Sequence, residues 1–130
     1  TDEDAAKYQE KVNAFEEYYK RFDVVEGIVQ DSSITIGENM ADFAGMQCVM
    51  DILAGDKAAQ KEALESYAAI LARLGTIDYI SDSMFLNDVH SSNNVRVDAV
   101  VASLNEFYDL YDVKEGDSMY VAPEDRLNLW

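Results

Sequence analysis

Apolar side chains recur at helical spacing near the start of the chain. They alternate steps of four and three residues, with charged residues between them, at Tyr8, Val12, Phe15, Tyr19 and Phe22. Residues with this spacing lie on one face of an α-helix, so the pattern predicts an amphipathic helix from about Asp2 to Phe22. The acids that follow Thr1 are typical of a helix start.

The next segment has a different residue composition, and a second helical pattern follows it. Val24 to Ile34 contains β-branched residues, a glycine and an Asp-Ser-Ser cluster, which predicts an extended connection with a turn. A second helix is expected from Thr35, three residues before Glu38 as in a capping box, to about Ala54. This helix is apolar nearly all round, so we expect it to be buried.

The remaining pattern predicts further helices and one polar loop. We expect a third helix at Asp56 to Leu74, a short helix within Ile77 to Phe85, a loop at Asn87 to Asn94, helical pieces at Val97 to Leu104 and Glu106 to Tyr111, and an irregular tail. The predicted fold is therefore mainly α, with residues 1–130 forming a single helical domain.

Composition and net charge disfavour some classes of binding partner for this chain. Its formal net charge of −16 over 130 residues disfavours nucleic acid and anionic membrane surfaces. The sequence has no apolar run of the roughly 20 residues that a membrane helix needs. The one cysteine, Cys48, lies in an apolar stretch and is expected to be a packed core thiol.

Two acids on the second helix are candidates for chemistry. Glu38 and Asp42 are four residues apart, so they share one face of a helix. If that face is buried, both carboxylates need a metal, a hydrogen bond or a cationic partner. Spacing alone leaves open a plainer reading, in which Glu38 closes the capping box and Asp42 takes either a helix-facing hydrogen bond or an arginine.

The predicted polar loop holds a second candidate cluster. Asp88 could fix one ring nitrogen of His90, the only histidine, and Arg96 offers a planar group suited to a carbonyl or carboxylate. A surface loop with nearby counter-charges would have the same residues, so the cluster alone does not decide between the two.

Several segments together resemble the neprilysin family of zinc metallopeptidases. TIGENMADFAG resembles the family's GENxAD segment, TDEDAAKY its TxED segment, NDVHSSNNVRV its DVHSPxxxR segment, and NEFYDLYDVKEGDSMYVAPEDRLNLW its terminus. The resemblance runs through the whole chain in order. It implies the C-terminal helical part of a thermolysin-like metallopeptidase catalytic domain, whose activity is hydrolysis of short peptides by zinc-activated water.

The resemblance also implies roles for the acids of the second helix. Glu38 would be the third protein ligand of the zinc, and Asp42 would orient a zinc-bound histidine.

Other residues would then bind the substrate. His90, oriented by Asp88, would donate to the oxyanion that forms on the peptide carbonyl. Arg96 would bind a backbone carbonyl of the peptide, and Ile70 and Leu71 would line the pocket for the side chain after the scissile bond.

The family's H-E-x-x-H helix, with two zinc ligands and the general base, does not occur in this sequence. We therefore expect the chain alone to be inactive, to bind zinc weakly, and to need the missing N-terminal catalytic half as partner. Without that half, an exposed face of the second helix would favour a homodimer. The alternative is a helical protein-interaction module that never belonged to an enzyme.

Two departures from the family pattern matter. Ser92 stands where the family has proline, which is expected to loosen the loop. Val113 and Leu127 stand where secreted animal members have cysteines, which favours a bacterial, cytoplasmic parent over an exported one but leaves export open.

Overall fold

The computed structural model describes residues 1–24, 29–74 and 88–129, and they confirm the mainly helical class. The elements are α1 (Asp2–Tyr19), α2 (Ser32–Ile52), α3 (Lys57–Leu74), α4 (Asn93–Ser103), α5 (Asn105–Tyr111) and a short 3-10 helix (Pro123–Asp125). The short helix predicted within residues 77–85 lies outside the described residues. Within the described ranges, every helix is too short or too polar to cross a membrane.

Helix α1 begins where its sequence predicts. The Thr1 hydroxyl accepts the backbone N–H of Asp4 at 3.2 Å, and the Asp4 carboxylate accepts from Thr1 in return, which completes a capping box. The helix ends at Tyr19, before the predicted Phe22, because the chain tightens into a turn in which the Phe22 N–H donates to the Tyr19 carbonyl.

Helix α2 begins three residues earlier than predicted. Asp31 is its N-cap, and its Oδ1 accepts from the backbone N–H of Ser33 at 3.0 Å. The predicted capping box of Thr35 and Glu38 is wrong, because Thr35 lies inside the helix, 1% exposed. The helix ends at Ile52, and Gly55 turns the chain towards α3 with a φ of +89°.

The core lies where α1, α2 and α4 meet, with contributions from α3, α5 and the C-terminal segment. Its most deeply buried large side chains include Phe15, Phe43, Met50 and Val100. The Tyr18 hydroxyl crosses this core and donates to the Ala99 carbonyl at 2.9 Å, which ties α1 to α4.

Helix α2 buries one face and leaves the other exposed, which matches the exposed face expected for this chain alone rather than burial on all sides. Ile52 is 81% exposed, and the thiol of Cys48 is exposed rather than packed in the core. The buried face comprises Ser32, Thr35, Asn39, Phe43, Met46 and Met50. Among the described elements, α1, α3 and α4 contact α2 and leave its second face exposed.

Helix α4 also begins earlier than predicted, at Asn93. We call residues 88–92, which directly precede α4, the His90 loop. Asn94, in the first turn of α4, donates its side-chain amide to the carbonyls of Asp23 and Val24, at 3.2 and 3.0 Å. This contact fixes the start of α4 against the first part of the connection between α1 and α2.

Candidate active site

Glu38 and Asp42 project from successive turns of α2, as predicted, but their burial differs. The side chain of Asp42 is 17% exposed, whereas that of Glu38 is 48% exposed. The prediction of two buried acids is therefore wrong for Glu38, because it lies on the face of α2 that the described part of the chain leaves open. A carboxylate in contact with water needs no cationic partner.

Asp42 pairs with Arg96 through two hydrogen bonds. The Nε–H and an Nη–H of Arg96 donate to the two carboxylate oxygens at 2.6 and 2.9 Å. The hydrogen bond to Asp42 raises the pKa of Arg96 further above its ordinary value. This geometry matches the plainer reading of Asp42, as the partner of an arginine.

Tyr67 on α3 completes this pair and was not singled out from the sequence. Its hydroxyl donates to the backbone carbonyl of Arg96 at 3.2 Å. Burial, and then the negative charge of Asp42, raise the pKa of Tyr67 above its usual range. Helices α2, α3 and α4 thus converge on one partly buried polar cluster of Asp42, Tyr67 and Arg96.

The imidazole of His90 lies between two carboxylates. Its Nδ1 is 3.0 Å from Asp88 Oδ1, and its Nε2 is 3.5 Å from Glu38 Oε2. The backbone N–H of His90 also donates to Asp88 Oδ1 at 2.8 Å, and this bond, followed by the ring contact, lowers the pKa of Asp88. A neutral imidazole has a single N–H, so only the protonated ring can donate to both acids at once.

Asn39 on α2 binds the His90 loop, and the sequence pattern did not single it out either. It is 1% exposed, and its Oδ1 accepts from the Ser91 hydroxyl at 2.8 Å while its Nδ2 donates to Thr35 Oγ1 at 2.9 Å. The available signal was a polar residue four positions before Phe43, on the apolar face of α2. Ser91 and Ser92 are both buried, which argues against the expected loosening of the loop by Ser92.

The two residues expected to line a substrate pocket point in different directions. Ile70 is 59% exposed and Leu71 is 4% exposed, because consecutive residues of a helix are about 100° apart around its axis. Leu71 shares its face of α3 with Tyr67, four residues earlier. Their role in substrate binding stays a prediction.

The donor set near His90 suits one ligand of a zinc site. Zinc binds carboxylate oxygen, and Glu38 presents its carboxylate on an open helix face. Among residues 1–24, 29–74 and 88–129, no three His, Cys, Asp or Glu side chains come close enough together to hold a metal ion. The residues fit zinc as contributors of one ligand to a shared site.

The arrangement is that of part of a metallopeptidase. Residues 1–127 match the family described as Peptidase family M13, and the chain belongs to this family. The family comprises metallopeptidases that are generally zinc-dependent.

Similar proteins carry the name neutral endopeptidase. The one from Lactobacillus helveticus is 29% identical over 130 residues, covering 100% of this chain and 20% of that protein. Those from Lactococcus lactis subsp. lactis (strain IL1403) and Lactococcus lactis subsp. cremoris are each 32% identical over 127 residues, covering 93% of this chain and 20% of theirs. The chain thus spans about a fifth of the length of these relatives. No solved structure matches it.

Proposed function

We propose that this chain forms one wall of the active site of a zinc metalloendopeptidase. The observation that carries the proposal is the approach of His90 Nε2 to Glu38 Oε2, at 3.5 Å. It brings a zinc-type ligand and a hydrogen-bond donor to the same open space beside α2. Membership of Peptidase family M13 supports the reaction class, because relatives with the same segment are neutral endopeptidases.

Each residue of this wall has a distinct task. Glu38 holds the zinc, which when bound supplies Lewis-acid activation for attack by water on a peptide carbonyl. His90 donates from Nε2 to the oxyanion of the attacked carbonyl, and Asp88 keeps the ring turned by accepting from Nδ1.

Arg96 binds the peptide backbone while it remains paired with Asp42. Its contacts to Asp42 use Nε and one terminal nitrogen, so other N–H groups of the same guanidinium can donate to a substrate carbonyl. The bidentate contact holds the planar group in one orientation. Asp42 has lone pairs left to accept from a zinc-bound histidine of the missing half, in the role that the family resemblance implies.

The other zinc ligands and the general base come from residues outside this sequence. We define the outer face of α2 as the exposed stripe Ile34, Gly37, Glu38, Ala41, Gly45, Cys48 and Ile52; Ser33 and Asp51 of the same helix are also exposed. A Cβ added at Gly37 or Gly45 would meet nothing within 4 Å, so this chain's own packing does not require a glycine at either position. Glycines in a helix interior cost stability, so these two fit a close approach by a helix of the remaining polypeptide.

The test separates the ligand from the oxyanion donor in the full-length polypeptide. We expect Glu38→Gln to lose zinc and activity together. His90→Ala should keep its zinc and lose kcat by roughly 10²–10³-fold, as for one oxyanion donor. Zinc content by elemental analysis and peptide hydrolysis are the measurements.

Glu62→Gln on the exposed side of α3 is the matched control and should change neither quantity. Loss of zinc from the His90→Ala variant would overturn the assignment of roles. A wild-type polypeptide that binds no zinc and cleaves no peptide would favour the second candidate, an interaction module that binds through the outer face of α2. The 130-residue chain alone should be inactive.

A further inference from the structure

A buried glutamine side chain forms hydrogen bonds with the backbone of the His90 loop. Gln30, 7% exposed, lies just before α2. Its Nε2 donates to the His90 carbonyl at 3.0 Å, with a longer contact of 3.5 Å to the Asp88 carbonyl. Its Oε1 accepts from the backbone N–H of Ser92 at 3.2 Å. Both ends of one planar amide therefore bind the same loop.

We propose that Gln30 is a positioning residue for His90, acting through the backbone of the His90 loop. A single hydrogen bond would leave the loop free to pivot, whereas a two-ended amide fixes both its place and its orientation. The contact joins segments 58 to 62 residues apart in sequence. The Asn39 contact holds the Ser91 side chain, whereas Gln30 binds the backbone on either side of Ser91 and ties it to the segment before α2.

Ser92 is the residue that makes this arrangement possible. Its φ of −56° is one that proline adopts, and its hydroxyl is buried with no hydrogen-bond partner in the described part of the chain. The group that Ser92 contributes is therefore its N–H, which proline lacks. Gln30 and Ser92 act as a coupled pair, and the loop gains from them the restraint that a proline ring would otherwise supply.

The structural part of this inference stands on the geometry, and its catalytic meaning rests on the proposed function. An NMR measurement on His90 tests the structural part without any need for peptidase activity. His90 is the only histidine among the 130 residues, so its ring Cε1–H gives one unambiguous NMR signal in this chain.

The first experiment compares Gln30→Val with Gln60→Val. Gln60 is the matched control, since it is also a buried glutamine, 6% exposed, and donates to a backbone carbonyl, that of Met50 at 3.4 Å. We expect both variants to lower the melting temperature. Only Gln30→Val should broaden or split the His90 signal and speed hydrogen exchange of the Ser92 amide, by roughly tenfold.

A double-mutant cycle tests the coupling. Ser92→Pro removes the donor but keeps the backbone angle, so it should disturb the His90 signal on its own. The double variant Gln30→Val/Ser92→Pro should disturb the His90 signal no more than Gln30→Val alone, because both substitutions remove the same hydrogen bond. Additive effects, an unchanged His90 signal in Gln30→Val, or an equal change in Gln60→Val would overturn the proposal.

In the full-length polypeptide, Gln30→Val should lower kcat about tenfold and leave KM and zinc content unchanged, because a displaced donor weakens transition-state stabilisation alone. If the wild type has no peptidase activity, the proposed function fails while the NMR comparison still decides the positioning role. If activity is present but kcat is unchanged in Gln30→Val, the positioning role fails and the proposed function stands.

Discussion

Two charged groups meet at a partly buried position between α2 and α4, where solvent screening is reduced. The side chains of Asp42 and Arg96 are 17% and 19% exposed, and their contact is bidentate. Removing one member of such a pair leaves the other charge desolvated, which costs more than the pair itself contributes. The ion pair therefore matters to the fold of this chain as well as to any substrate.

We predict that Asp42→Asn lowers the free energy of unfolding of this chain by about 2 kcal/mol. The neutral amide keeps the shape of the side chain but leaves the Arg96 charge without a counter-ion. Urea denaturation followed by circular dichroism is the measurement. The matched control is Asp125→Asn, whose partner Arg21 is exposed, and it should change stability by less than about 1 kcal/mol. Equal losses in the two variants would contradict the prediction.

The sequence singled out most of the chemically important residues but not their contacts. Asp42 and Arg96 were each assigned a role, yet they are 54 residues apart, and nothing local to either one specifies the other as its partner. Gln30 and Asn39 were missed for the same reason. Their importance comes from the buried backbone and hydroxyl groups that they satisfy, and burial is a property of the assembled core.

Among the elements, α2 combines a strongly packed inner face with an outer face that its neighbours leave open. Its outer face carries glycine at positions 37 and 45 where the backbone angles are ordinary for a helix, unlike Gly55 and Gly116 with their positive φ. Neither the backbone conformation nor a contact with the described residues requires glycine at either helical position.

We predict that Gly45→Ala raises the stability of this chain by about 1 kcal/mol, because alanine is the better helix former and has room for its Cβ. The same change should weaken binding of the remaining polypeptide, or of a second copy, by obstructing close helix contact. Thermal denaturation and sedimentation are the two measurements. Gly55→Ala, at a φ of +89°, should instead destabilise the chain. A gain in both stability and association for Gly45→Ala would be incompatible with a docking role for the outer face.

Periodicity predicted α1, α3 and the helical class well, since those helices have a clear apolar stripe and polar residues opposite. The start of α2 was missed because Asp31, Ser32 and Ser33 suit a turn as well as a helix N-terminus, and only the buried position of Thr35 distinguishes them. The exposure of Cys48 was missed because an apolar pattern indicates that a face needs covering. It does not say whether the covering element belongs to the same 130 residues.

For the whole molecule, charge and apolar surface act in opposite directions on self-association. The net charge of −16 repels a second copy, whereas burial of the apolar residues on the outer face of α2 would favour one. Raising the salt concentration from 0.1 M to 1 M shortens the screening length from about 10 Å to about 3 Å and removes most of the repulsion. We predict that the chain dimerises more tightly at high salt, by roughly tenfold in affinity.

Sedimentation equilibrium across that salt range measures the effect. Asp2→Asn, in the exposed first turn of α1, should shift affinity only slightly, whereas Gly45→Ala should reduce it at every salt concentration. A strict monomer at high protein and salt concentration would refute self-association through this face.

The C-terminal segment closes back on the first helix. The Lys11 ammonium donates to the Asn128 carbonyl at 2.7 Å, and Arg21 pairs with Asp125 at 3.1 Å, across 117 and 104 residues of sequence. Leu127 packs into the same core as Phe15. At about 5–20 residues per second, a ribosome needs on the order of 10 s to make the residues between these contacts. During that interval the aromatic face of α1 lacks these contacts, and apolar surface that is exposed during synthesis favours aggregation.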